Sequence, residues 1–141
     1  MATQALVPGS LGAVAKRDGM SIAEGMLNVE IMILIDSSSS MSATDSRENQ
    51  SRWDVACEEL TKLQGNHPGK IAVVSFSTGV AFAASGRPRF IGGSTDLAGG
   101  LKFVHQFDGT VRFIVISDGE PNSEQAALAE ARKFTSRIDT V

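Results

Sequence analysis

Two aspartates and a set of hydroxyls fall where they would do chemistry together. The first group is Asp36-Ser37-Ser38-Ser39-Ser40, which follows the apolar run "IMILI". The second is "GGSTD", with Thr95 just ahead of a helical pattern. The third is "SDGEP", with Asp118 directly after "VRFIVIS". All are oxygen donors, with no histidine or cysteine among them. Hard oxygen ligands suit Mg²⁺, Mn²⁺ or Ca²⁺ and do not suit zinc or copper. Asp36, Ser38 and Ser40 alternate, so an extended or looped segment can turn all three to one side. Two carboxylates roughly balance a divalent cation, and hydroxyls and water fill the remaining positions.

Each group needs an element to hold it. "LNVEIMILID" is a short, almost unbroken apolar run, as in a strand of a parallel sheet buried on both faces. "SRWDVACEELTKLQG" has helical spacing, with Trp53, Ala56, Cys57, Leu60 and Leu63 on one stripe and Gly65 as its stop. "KIAVVSFS" is a second strand, and "VAFAAS" a short partner after the Thr78-Gly79 turn. "STDLAGGLKFVHQF" is a helix with Leu97, Leu101 and Val104 on its apolar face; Gly99 and Gly100 lower its propensity by ~1 kcal/mol each. "VRFIVIS" is another buried strand. "NSEQAALAEARKFTSR" is a helix with Asn122 as its cap and Gln125 at the capping-box position. "IDTV" begins a further strand.

This alternation predicts an α/β three-layer, Rossmann-like sandwich, a mainly parallel sheet with helices on both faces. Ligands of such sheets bind at the carboxyl ends of the strands, where all three polar groups lie. Residues 1–24 mix Gly, Ser, Ala and Pro without a period and are expected to form an N-terminal arm. Residues 25–141 form the domain.

In 141 residues, 42% are hydrophobic and 21% charged, as in a globular chain and not a disordered one. Net charge is −3, so no basic excess exists to neutralise phosphates, and nucleic acid is not an expected partner. No apolar run approaches the ~20 residues of a membrane helix. The first residues lack the apolar stretch of roughly 7–15 residues of a secretion signal. Cys57 is the single cysteine, so no internal disulfide forms, and a cytoplasmic location is expected.

Three motifs together, "DSSSS" as Asp-x-Ser-x-Ser, "GSTDL" and "ISDGEP", resemble the von Willebrand factor A (vWA) domain and its metal-ion-dependent adhesion site (MIDAS). The likeness runs from about Val29 to Val141. It implies a vWA-like fold in which Ser38, Ser40 and Thr95 coordinate Mg²⁺ and Asp36 and Asp118 approach it directly or through water. It further implies that the open position takes an Asp or Glu of a partner protein. Such domains usually continue through another helix and strand, whereas this sequence stops as its fifth strand starts. A chain shortened at its C-terminus, or an unusually short domain, is therefore expected.

Plainer roles compete with these. Thr95 also suits a helix N-cap, and Asp118 a turn before Gly119. Asp96 and Glu120 read as surface or supporting groups. Enzyme chemistry is not expected. A haloacid-dehalogenase-type phosphatase also places an aspartate after its first strand, but it needs an acid two residues on, where Ser38 stands. No Gly-x-Ser-x-Gly elbow or phosphate-binding Walker motif occurs. A metal-dependent hydrolase and an assembly subunit with an idle metal site are the alternatives. On the binding view, Asp36→Ala should relieve repulsion between carboxylates and slightly raise metal-free stability.

Overall fold

The computed structural model describes residues 6–43, 50–117, 123–136 and 138–140. Its sheet has five strands in the order β3-β2-β1-β4-β5. These are β1 Ile31–Asp36, β2 Ile71–Phe76, β3 Val80–Phe82, β4 Arg112–Ile116 and β5 Ile138–Thr140. β1 pairs in parallel with β2 and β4, with Ile33 opposite both Val73 and Ile114. β5 is parallel to β4, and only β3 runs antiparallel, on β2. The chain builds outward from β1 to one side and then to the other. The switch point therefore lies between β1 and β4, where ligands of open α/β sheets bind.

Alternation along the strands divides the interior in two. Met32, Leu34, Val74, Phe76, Phe113 and Val115 face one side, where Leu101 and Val104 of α4 (Leu97–Val104) pack on them. Ala131 of α5 (Glu124–Ala131) packs against the same cluster. Ile33, Ile35, Ile71 and Val73 face the other side, against Leu60, Trp53 and Ala56 of α3 (Arg52–Asn66). Helices cover both faces, giving the three layers expected. Gly100 explains itself here. A Cβ at that position would sit 3.2 Å from Phe76, so glycine lets α4 press onto the sheet.

Three local expectations are corrected. The lead-in assigned to an arm is helical where it is described, as α1 Leu11–Asp18 and α2 Ile22–Met26. Ser10 caps α1 by accepting from Ala13 N–H at 3.1 Å, and Ser21 and Glu24 close a capping box on α2. Leu11 is buried in the α4 side of the core, which fixes the segment to the domain. In α3, Leu63 is 38% exposed and Gln64 is buried in its place, donating to the Gly86 carbonyl at 2.8 Å. The helix also runs past Gly65 to Asn66. Asn122 lies outside the described residues, and Ser123 caps α5 by accepting from Ala126 N–H at 3.1 Å. No helix among the described residues is long and apolar enough to cross a membrane.

Candidate metal site

β1 ends on Asp36, which is fully buried. Its Oδ1 accepts from Ser38 N–H at 2.8 Å, a side chain-to-backbone bond two residues on that bends the chain out of the strand. Ser37 anchors the bend. Its N–H and its hydroxyl both donate to the Phe76 carbonyl at the end of β2, at 2.8 and 3.1 Å. A short 3₁₀ turn, Ser39–Ser42, follows, held down by buried Met41. The bend puts the Ser38 and Ser40 hydroxyl oxygens 3.1 Å apart, with Ser38 buried and Ser40 exposed.

The loop carrying Thr95 is laced to this turn. Gly92 N–H donates to the Ser37 carbonyl at 2.7 Å. Ser39 N–H donates to the Gly93 carbonyl at 3.0 Å, and Gly93 N–H returns a bond to Ser39 Oγ at 2.9 Å. Gly92 and Gly93 have φ of 80° and 87°, the left-handed region where glycine is unstrained. Thr95 follows two residues later, half-buried. It is not the N-cap of α4. Asp96 is, accepting from Gly99 N–H at 3.0 Å. Thr95 is thus relieved of the plainer role that competed for it.

From the other side of the switch point comes a residue the sequence did not single out. Ser117, just past β4, donates its hydroxyl to Asp36 Oδ2 at 2.6 Å. This bond crosses from β4 to β1 beneath the polar turn. Its only sequence signal was its place immediately before Asp118. Asp118 and Glu120 themselves lie outside the described residues. Of the expected ligands, the structure brings together Asp36, Ser38 and Ser40, with Thr95 on a loop tied to the same turn.

The donor set suits a hard divalent cation. A buried carboxylate is costly unless a counter-charge offsets it. No lysine or arginine among the described residues pairs with Asp36. Adjacent oxygens around an octahedral Mg²⁺, at 2.0–2.1 Å from the ion, are about 2.9 Å apart. The Ser38–Ser40 spacing, a hydrogen bond between the two hydroxyls, is close to that edge. No group of three or more His, Cys, Asp or Glu side chains placed to hold a metal occurs among the described residues. The set here relies on hydroxyls instead.

The remaining titratable groups lie elsewhere. Burial pushes the Cys57 thiol up to about 11, with nearby Arg87 pulling the other way, so Cys57 is the inert core residue its helical stripe suggests. Asp108, before β4, is held down to about 2, chiefly by the Thr135 N–H bond.

No protein-family model and no curated protein matches the chain. Among solved structures it is similar to the ArnB paralog VWA2 from Sulfolobus acidocaldarius, with a TM-score of 0.48 and 19% identity. The match covers 81% of this chain and 41% of that one, so this chain spans less than half of that protein's length. The α/β class stands on the strand order and register described above.

Proposed function

We propose that this domain is a vWA-type binding module that docks a partner protein through a divalent cation, Mg²⁺ or Mn²⁺. Ser38, Ser40 and Thr95 would hold the ion, with Asp36 and Asp118 beside it. One observation carries this: two hydroxyls 3.1 Å apart over a buried carboxylate that no protein cation pairs with among the described residues. When bound, the cation supplies an electrophilic position with exchangeable water, open to a partner's Asp or Glu. The chain's own residues do the rest. Asp36 offsets charge from below, Ser117 fixes its carboxylate, and Ser37 and Ser39 hold the two loops in register.

Binding is favoured over catalysis because, among the described residues, no histidine, lysine or cysteine stands as a general base beside the cluster. No histidine, lysine or cysteine among the described residues hydrogen-bonds to Asp36 or Ser38. Capture of partners from lysate with and without EDTA, comparing wild type with Thr95→Ala, tests the proposal. Retention that is lost both with EDTA and in Thr95→Ala is expected. Equal retention in every lane contradicts it. Metal-dependent turnover of a generic phosphate ester, abolished by Asp36→Ala, would establish the hydrolase instead.

A further inference from the structure

Beside the serine turn stands an exposed aromatic side chain that the docking chemistry above does not use. Phe90 is 41% exposed, although its ring packs edge-on against Trp53 at 5.2 Å between centroids. Trp53 in turn packs on the α3 side of the core, so the exposed ring is backed by fixed structure. The turn and the ring share one patch. A side chain placed at Gly92 would meet Ser39 Oγ at 3.8 Å and the Phe90 ring at 3.9 Å. α3 is tied to the same turn by Arg52 N–H donating to the Ala43 carbonyl at 3.0 Å. Ile91 is exposed next to Phe90. Arg89, on its other side, is exposed and pairs with no carboxylate among the described residues.

Leu27 and Leu128 are exposed as well. Single exposed hydrophobes are ordinary. A backed aromatic ring on the ridge beside the serine turn, with an unpaired arginine next to it in the chain, is not. Large, preorganised aromatic side chains are the residues that anchor interfaces.

We propose that the segment docking here is an acidic stretch, with a large apolar side chain next to its metal-directed carboxylate seated on Phe90. A second acidic side chain meets Arg89. This rests on the docking function proposed above and names the chemistry of its partner.

The probes are labelled synthetic peptides with the core Asp-X-Glu or Glu-X-Asp, where X is Leu, Phe or Gly. Binding is read by fluorescence anisotropy in Mg²⁺, alongside the Mg²⁺-induced rise in melting temperature. With Leu or Phe at X, wild type should bind about tenfold tighter than with Gly, an increment expected for burying one such side chain. Phe90→Ser should erase that preference and keep the Mg²⁺ response; Phe90→Leu should retain the preference. Equal affinity for all peptides, or a preference that survives Phe90→Ser, overturns the proposal. So does an absence of peptide binding while the Mg²⁺ response is intact. Self-association that Phe90→Ser abolishes would assign the ridge to a second copy and overturn it too. Loss of the Mg²⁺ response with the apolar preference kept would defeat the metal-docking function and leave the ridge standing.

Discussion

Two aspartates at opposite ends of the sheet are held in contrasting ways. Asp108 lies ahead of β4, and its carboxylate is consumed by backbone and hydroxyl donors. Ser136 N–H reaches Oδ1 at 2.7 Å, while Thr135 N–H and Thr135 Oγ1 reach Oδ2 at 2.8 and 3.1 Å. Asp36 lies at the far end of β1, fully buried, and each of its oxygens accepts one described bond. A carboxylate offers about four lone-pair sites, so Asp36 keeps capacity in a place where water cannot easily use it. The first aspartate ties a loop together. The second is a buried acceptor beside the Ser38 and Ser117 hydroxyls.

The largest expected effect is at Asp36. Removing its side chain leaves the buried Ser38 N–H without its acceptor, which costs about 1–3 kcal/mol. Asp36→Ala should therefore lower metal-free stability in a denaturant titration, opposite to the gain expected from sequence alone. Charge repulsion alone gives that gain; the Ser38 N–H bond to Asp36, which folds the turn, outweighs it. Asp36→Asn retains an acceptor and removes the charge. It should melt close to wild type without metal yet show no Mg²⁺ response. Wild type should gain about 2.7 kcal/mol at a hundredfold excess of Mg²⁺ over its Kd.

Ser117→Ala should come next. It frees Asp36 Oδ2 while leaving every expected ligand in the sequence, and loss of such a supporting bond typically lowers metal affinity ~10- to 100-fold. Calorimetry with Mn²⁺ checks this. An unchanged affinity would mean that Ser117 does not orient Asp36.

Asp108 should give the smallest effect and the cleanest contrast. Its folded pKa, about 2, lies below the ordinary carboxylate value of about 3.9. A depressed carboxylate contributes stability above its unfolded value and loses it as pH falls through its folded one. That contribution should fade between about pH 4 and pH 2. Asp108→Asn should flatten this part of the acid-unfolding profile and leave the Mg²⁺ response intact. If it altered the response, the two ends of the sheet would not be independent.

The sheet was legible because its strands are apolar runs of the right length, and α3 and α4 because their apolar stripes are regular. The hydroxyl cluster was legible because Asp36, Ser38 and Ser40 follow a buried strand directly. What escaped had other causes. α1 and α2 are short, so period could not reveal them, although "SIAE" carries the capping-box signature of α2. Gln64 displaced Leu63 from the core because a buried amide can bond the Gly86 carbonyl, a contact 22 residues away that no local pattern encodes. Ser117 sat inside an apparent strand end, and its partner lies 81 residues away. Thr95 and Asp96 both suit capping, and their sequence order alone did not decide between them.

On the proposed function, the hydroxyl cluster, and not another acidic surface, binds the cation. Substoichiometric Mn²⁺ added to isotope-labelled protein tests it by paramagnetic broadening of amide resonances. Broadening should centre on Ser38, Ser40 and Thr95, spare Thr135 and Ser136 beside Asp108, and vanish in Asp36→Asn. Broadening that centres elsewhere, or persists unchanged at the serine turn in Asp36→Asn, would contradict metal binding at this cluster.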